Sequence, residues 1–315
     1  MIDIIGKRKW YFILSGIIII PGIVAMIYSA VMFGSPVRMS VDFTSGSLLE
    51  LRFQQPVQPA AVRDVYVTQG YLDTSVQSAG DGRTMLIRSK QMPAETKQAL
   101  ETDLIKRFGP AEELRYDSVG PAVGQHVTRA ATVAISVGAL AILTFILIAF
   151  RRVPNAFRYG VCAIVAMVHD ILVTTGLFSI MGLFAGWEMD ALFLTALLTV
   201  VGFSVQDTIV VFDRIRENTP KRRGEPFELI VNRSLLETLH RSLATQLNAM
   251  FVLVAILLVG GATIKQFVAT LLVGMISGTY SSMFNAVPLL VVWENDEIRG
   301  LFRRLRARPA EQLAG

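Results

Sequence analysis

The stretch Val200–Arg216, VVGFSVQDTIVVFDRIR, combines a helix-length apolar run with one internal acidic residue and a charged end. Asp207 stands six residues before Asp213, which places it about 9 Å inside the run at ~1.5 Å of helical rise per residue. An acid at the centre of a membrane span costs at least ~2.5–3.5 kcal/mol. The stretch therefore predicts a membrane helix whose carboxylate is there for a function, although a structural partnership with Arg241 is the alternative.

The composition around this stretch is that of a membrane protein. Of 315 residues, 52% are hydrophobic and only 17% are charged, against about 25% in soluble proteins. The single Cys162 excludes an internal disulfide framework and zinc–thiolate or iron–sulfur sites, which need several cysteines. The net charge of +5 is spread over short segments beside apolar runs, so we expect a lipid bilayer and no nucleic acid as partner.

Six apolar runs are long enough, or nearly so, to cross a bilayer core of about 30 Å. They cover residues 10–33, 130–150, 159–187, 191–212, 242–264 and 266–293, with tight turns at 186–190 and around Lys265. Lys and Arg in the short connections predict that both termini are cytoplasmic. The first run is too long for a cleaved leader, so we expect an uncleaved span that also starts export.

Residues 34–128 have ordinary polarity and are expected to form an exported α+β domain. The other predicted segments are a cytoplasmic N-terminus at 1–9, a helical membrane bundle at 129–293 with a cytoplasmic loop at 213–240, and a cytoplasmic tail at 294–315. Within the domain we predict, in order, a strand, a helix, a hairpin, a helix and a strand, at 41–53, 59–69, 74–78 with 84–89, 94–108 and 113–119. This β-α-β-β-α-β order is typical of ferredoxin-like domains. The domain shows no nucleophile–base pair, which favours a binding or lever module over an enzyme.

Polar residues inside the apolar runs follow helical spacing. We expect three such stripes to face one another as a hydrated seam, although packing alone is the simpler reading of the small residues. The stripes are Thr195, Thr199, Gly202 and Gln206; Arg241, Thr245 and Asn248; and Gly274, Gly278, Ser281 and Asn285. His169 and Asp170 are adjacent and are expected on different helix faces, which disfavours a metal site and favours polar contacts inside the bundle.

Several longer motifs resemble the SecD/SecF family of bacterial protein-export membrane proteins, and its SecF half in particular. They run in family order: VDFTSGS at 41–47, VHD at 168–170, VGFSVQDTIVVFDRIREN at 201–218, SLLETLHRSLATQLN at 234–248 and GTYSSMFNAVPLL at 278–290. Two departures stand out. The family's double glycine is Ser45-Gly46 here, and its hydroxyl-rich stretch after the arginine is Thr245-Gln246-Leu247-Asn248-Ala249.

The resemblance implies six membrane helices in the resistance–nodulation–division architecture, a place in the bacterial cytoplasmic membrane and no enzyme activity. It implies SecD, the Sec translocon channel and unfolded polypeptide as partners, and protons as the coupling ion with no cofactor or metal. Asp207 and Arg241 match the family's proton-pathway acid and arginine. The supporting polar residues would be Gln206, Thr208, Asp170, Thr245, Gln246, Asn248, Ser281 and Asn285, and the exported-domain motif contributes Asp42, Phe43 and Gly46.

Two other classes of function remain open at this stage. One is a stand-alone proton-driven exporter of a small hydrophobic molecule or lipid, which would work as a homo-oligomer. The other is an intramembrane enzyme that uses His169 and Asp170.

Overall fold

The computed structural model describes residues 2–79, 82–150 and 156–296. Two compact units are present. The first, a helical unit, takes in the chain up to residue 27, residues 136–178 and the chain from residue 195 onward, and the second, an α/β unit, takes in residues 28–135 and 179–194. The basic tail at 297–315 and the connection at 151–155 lie outside the described residues, as does the predicted hairpin turn at Gly80 and Asp81.

The apolar runs form long helices. Five helical stretches are long and apolar enough to cross a membrane within the described residues: Ile5–Phe33, Phe157–Ala185, Ala191–Lys221, Phe227–Val259 and Ile264–Glu294. The remaining predicted span, 130–150, falls in a 30-residue helix, Pro121–Phe150, several of whose side chains are outside the described set. The mostly helical architecture is thus confirmed, and the sixth crossing stays a prediction.

The helices of the chain, numbered in order, have the following bounds. They are α1 (Arg8–Phe33), α2 (Val41–Thr44), α3 (Pro59–Thr68), α4 (Ala94–Phe108), α5 (Pro121–Phe150), α6 (Ala156–Ala185), α7 (Ala191–Lys221), α8 (Phe227–Val259), α9 (Ala262–Ser281) and α10 (Val287–Glu294). A 3₁₀ turn at Ile5–Lys7 precedes α1, and a π turn at Ser282–Ala286 joins α9 to α10.

Two predicted connections are placed differently in the structure. The turn between the last two spans lies at Gly260 and Gly261, both in extended backbone, and Lys265 is inside α9. The segment 213–240 is largely helical, because α7 continues to Lys221 and α8 starts at Phe227. Charged residues end an apolar run without ending the helix, so hydropathy marks where the apolar segment stops and not where the helix does.

The π turn at Ser282–Ala286 has a local cause. Pro288 has no backbone N–H and cannot donate to the carbonyl four residues earlier, and a locally wider turn accommodates that loss. The side chains of Met283, Asn285 and Ala286 in this turn are buried. The distortion therefore sits in the core of the helical unit.

Close approaches between helices depend on glycine. A Cβ atom built on Gly22 of α1 would lie 2.8 Å from the Cα atom of Gly176 of α6, and one built on Gly176 would lie 2.7 Å from that of Gly22. A Cβ atom on Gly274 of α9 would overlap the side chain of Val200 of α7. Small residues at such crossings let helix backbones pack closely in the membrane.

The α/β unit contains an antiparallel sheet of order β2-β3-β1-β4. Its strands are β1 (Gly46–Phe53), β2 (Ser75–Ala79), β3 (Thr84–Ser89) and β4 (Ala111–Val119). Together with α3 and α4 they follow the predicted order β-α-β-β-α-β. The alternation of β1 directs Leu49, Leu51 and Phe53 into the core. Burial of each such side chain is worth about 1.5–3 kcal/mol.

The predicted first strand, 41–53, is shorter in the structure because its first residues form a helical turn. Val41–Thr44 is α2, and the backbone N–H of Asp42 donates to the Ser40 hydroxyl at 3.2 Å. Ser45 and Gly46 then take positive φ values of 57° and 116°. A Cβ on Gly46 would lie 2.6 Å from the Ser89 carbonyl oxygen, so this position requires glycine.

Candidate functional site

Asp207 lies on the buried face of α7 with only 7% of its surface exposed. Ser204 and Thr208 share that face and are also buried, and the Thr208 hydroxyl donates to the Ser204 carbonyl at 3.0 Å. The carboxylate accepts one hydrogen bond from a described residue, from Gln246 Nε2 of α8 to Oδ2 at 2.7 Å. A carboxylate can accept about four hydrogen bonds, so Asp207 keeps most of its acceptor capacity free.

The buried face of α8 is not the predicted one. Thr238, Ser242 and Gln246 are buried at intervals of four residues, whereas Arg241, Thr245 and Asn248 are exposed. Each predicted stripe residue is one or two positions away from a buried one, which is a rotation of about 100–200° around the helix. The prediction that this stripe faces the rest of the chain is therefore wrong.

Arg241 and Asp207 are not paired. The Arg241 side chain is exposed, and it makes no hydrogen bond or ion pair with any residue of 2–79, 82–150 and 156–296. Gln246, noted from the sequence only as a substitute in a hydroxyl-rich stretch, is the residue that contacts Asp207. A four-residue step from Ser242 to Gln246 is the signal that could have identified it.

The stripe predicted on α7 is also exposed. Thr195, Thr199, Gly202 and Gln206 all lie on the accessible side of the helix, and a Cβ on Gly202 would meet no described atom within 4 Å. Gln206 and Asp207 are adjacent, so they differ by about 100° in direction. The three predicted stripes therefore do not face one another within this chain.

The third stripe is buried as predicted, and its residue Ser281 contacts another acid, Asp170. Asp170 of α6 is fully buried. Its Oδ2 accepts from the hydroxyls of Ser204 at 2.5 Å and Ser281 at 2.6 Å, and its Oδ1 accepts from Ser277 at 2.6 Å. Three helices of the helical unit, α6, α7 and α9, thus meet at one carboxylate.

His169 completes this cluster, contrary to the expectation that it points away from its neighbour. Its Nδ1 lies 3.0 Å from Asp170 Oδ1 and its Nε2 lies 3.1 Å from the hydroxyl of Ser15 on α1. Asn285 Nδ2 donates to the same hydroxyl at 2.8 Å. Adjacent helical residues can touch when one side chain bends back toward the other.

Sequence reasoning missed Ser15, Ser204 and Ser277, because isolated serines in apolar runs are common and carry no charge. The signal available was spacing: Ser277 precedes Ser281 by four residues and Ser204 precedes Thr208 by four. Both pairs place a hydroxyl on one helix face.

The exported-domain motif lies in the α/β unit. Asp42 Oδ2 accepts from the backbone N–H of Ala191 at 3.4 Å, and the Phe43 carbonyl accepts from the Thr128 hydroxyl at 3.5 Å. Gly46 begins β1.

Asp190 at the start of α7 accepts from the Phe193 N–H at 2.8 Å, and burial raises the pKa of its carboxyl above the ordinary value.

Comparison with known proteins identifies the family. The protein-family model described as "Protein export membrane protein SecD/SecF, C-terminal" matches residues 100–296. A second family model, "SecD/SecF GG Motif", matches residues 30–57. The protein translocase subunit SecF of Thermobaculum terrenum is 47% identical, over 98% of this chain and 99% of that protein. The corresponding subunit of Anaerolinea thermophila is 48% identical over the same shares.

A solved structure agrees with these sequence matches. The crystal structure of SecDF, a translocon-associated membrane protein from Thermus thermophilus, superimposes with a TM-score of 0.76 and 31% identity. The match covers 93% of this chain and 39% of that one, so this chain spans about two fifths of SecDF. The chain is an integral protein of the bacterial membrane, and it belongs to the SecD/SecF family of protein-export membrane proteins.

Proposed function

We propose that this chain works with SecD as an accessory subunit of the bacterial Sec translocase, and that proton binding at Asp207 drives its action on the translocating polypeptide. The observation that carries this proposal is a buried acid in a membrane helix with one side-chain donor, Gln246, among the described residues. One proton that crosses 100 mV releases about 2.3 kcal/mol, which is enough to shift a helix-packing equilibrium by more than tenfold.

Gln246 suits a site that gains and loses a proton. Its Nε2 donates to Asp207, while its Oε1 is buried and has no partner within the described ranges. An ionised carboxylate only accepts hydrogen bonds, whereas a protonated carboxyl also donates one. Rotation of the amide would present Oε1 to that proton, so Gln246 can satisfy Asp207 in both states.

The exposed polar stripes of α7 and α8 support a partner inside the membrane. Gln206, Arg241 and Asn248 are exposed on the chain alone, and polar groups that face lipid are costly. Membrane helices of SecD would cover them and would add Arg241 to the surroundings of the proton site. The polar seam would then form between two subunits.

The function is tested by Asp207→Asn in vesicles that contain this chain, SecD and the translocon. We expect export to lose its stimulation by a proton gradient. Asp213→Asn is the matched control, since Asp213 lies on the same helix, is partly exposed and pairs with Arg216 at 2.6 Å. Stimulation that survives in Asp207→Asn would overturn the proposal.

The partner surface is tested with two glycines. A Cβ on Gly202 or on Gly16 meets nothing within 4 Å among the described residues, so both positions have space for a side chain on the chain's own side. We expect Gly202→Leu to reduce co-purification of SecD at least tenfold and Gly16→Leu to leave it unchanged. Recovery of a homo-oligomer without SecD would favour the stand-alone exporter instead.

We further infer six crossings, with α5 supplying the remaining one, an exported ferredoxin-like domain and cytoplasmic termini. The sheet order β2-β3-β1-β4 and the element order of the α/β unit support the domain class. In a Cys162→Ser background, a cysteine at exposed Gln54 should react with an impermeant maleimide in spheroplasts, and one at exposed Arg223 only after lysis. The reverse pattern would contradict the orientation.

A further inference from the structure

The connection between α6 and α7 belongs to the α/β unit. Residues 179–194 group with residues 28–135, although they are distant in sequence. Met39 and Met189 form a parallel β-bridge, in which the Met189 N–H donates to the Arg38 carbonyl at 2.7 Å and the Ser40 N–H donates to the Met189 carbonyl at 2.9 Å. The loop before α7 is thus joined by backbone hydrogen bonds to the segment that enters the domain.

A buried acid strengthens this junction. Glu188 is 8% exposed, lies 3.3 Å from Arg38 Nε and also pairs with Arg88 of β3. Arg38 Nη1 donates to Gln77 Oε1 of β2 at 2.6 Å. Because a buried charge is stable only when paired, Glu188 holds the loop to β3 through Arg88 and, by way of Arg38 and Gln77, to β2.

The same junction holds the first turn of α7. Asp42 and Asp190 accept from the N–H groups of Ala191 and Phe193, at 3.4 and 2.8 Å. Helix α7 then runs without interruption to Asp207 and on to Lys221. Asp207 lies about 24 Å along the helix from Ala191 at ~1.5 Å per residue. The first turn of α7 thus belongs to the junction, and the same continuous helix carries Asp207.

We propose that Arg38, Met39, Arg88, Glu188 and Met189 form a clamp that transmits a shift of α7, caused by proton exchange at Asp207, to the α/β domain. The inference rests on the proposed function and extends it to a route from proton to polypeptide. Glu188 is a positioning residue in this route, and it contacts neither Asp207 nor the proton. The clamp stays closed through the cycle, so that domain and helix move together.

The test uses the full chain with SecD and the translocon in vesicles, with proton uptake followed by an internal pH-sensitive dye and export followed in parallel. We expect Glu188→Gln to lower gradient-driven export at least tenfold while proton uptake stays within twofold. Lys97→Gln is the control, because Lys97 pairs with Glu101 and Glu113 in the same unit and with no described residue of the α6–α7 loop.

In a second experiment, an engineered disulfide takes the place of the ion pairs that Glu188 makes. β-bridge partners are close enough for a disulfide, so in a Cys162→Ser background Met39→Cys with Met189→Cys should restore export to Glu188→Gln when oxidised, and reduction should remove it again. With Glu188 intact, the same disulfide should leave export unchanged.

The clamp would be overturned if Glu188→Gln lost both proton uptake and gradient-driven export, or if it retained both. It would also be overturned if the disulfide failed to restore export to Glu188→Gln, or if the disulfide blocked export with Glu188 intact. The proposed function fails by a different result, the retention of both proton uptake and gradient-driven export in Asp207→Asn.

Discussion

Asp170 and Asp207 are buried acids of the described membrane helices, and their surroundings are opposite. Asp170 is fully buried and receives three serine hydroxyls and a histidine nitrogen. Asp207 is nearly as buried and receives one amide. Ser204 and Asp207 are three residues apart on α7, so the two sites share one helix. A carboxylate with its acceptor capacity filled holds helices together, and one with free capacity can exchange a proton.

The largest expected effect comes from removing the saturated acid. Asp170→Ala leaves Ser204, Ser277, Ser281 and His169 buried without their partner, and breaking a buried charge network costs about 3–5 kcal/mol. We expect a clear loss of thermal stability in detergent, together with loss of export. Asp207→Asn should unfold at the wild-type temperature, because its amide oxygen still accepts from Gln246. Equal stability of the two variants would contradict the comparison.

The next effect comes from removing the single donor of Asp207. Gln246→Leu should lower gradient-driven export on the order of tenfold, since a hydrogen bond to a charged group is worth about 1.5–3 kcal/mol. Thermal stability should change little. Thr270→Val on α9, whose hydroxyl donates to the Gln266 carbonyl, is the control, and an equal loss in that variant would show that the effect is not specific to the buried amide.

A smaller effect distinguishes the donors of Asp170. Ser277→Ala and Ser281→Ala should each cost about 1 kcal/mol of stability, the usual net value of one hydrogen bond. The two losses should not add, because both hydroxyls bind one carboxylate. Ser282→Ala is the control, since its hydroxyl donates to the Thr279 carbonyl. Thermal unfolding of the single and double variants measures the coupling, and strict additivity would argue against a shared site.

The smallest effect concerns a third acid, Asp190, which lies outside the membrane spans. Burial raises the pKa of this carboxyl, so the folded chain binds its proton more tightly than the unfolded chain does. Its contribution to stability is therefore largest at low pH and falls as pH rises from the ordinary aspartate pKa through the raised one. Asp190→Asn should flatten this part of the profile of melting temperature against pH and keep the helix cap. An unchanged profile would contradict the assignment.

Periodicity predicted the α/β unit well. The alternation of Leu49, Leu51 and Phe53 and the spacing of Val62 and Val65 predicted the buried faces directly, because the side chains on the other faces of these elements are polar. Only the first residues differed, where the Ser40 cap and the positive φ values of Ser45 and Gly46 turn the chain.

The sequence predicted that the membrane helices exist, but it did not predict which face of each helix is buried. Apolar residues cover all sides of α7 and α8, so hydropathy does not mark the inner face. Polar spacing identified Ser281 and Asn285 correctly, but it selected Gln206 and Thr245, which are exposed, over Ser204 and Ser242, which are buried. A polar stripe on a membrane helix indicates a contact with another protein surface. The sequence of one subunit does not show whether that surface belongs to the same chain or to a partner.

The contact between Gly22 and Gly176 restricts how the first helix can be exchanged. With backbones this close, any side chain larger than hydrogen at either glycine pushes the two helices apart. An unrelated helix of equal length and hydrophobicity that lacks this glycine is expected not to pack against α6. The first helix must therefore fit closely against α6, and only homologues that retain this glycine pair should supply interchangeable versions of it.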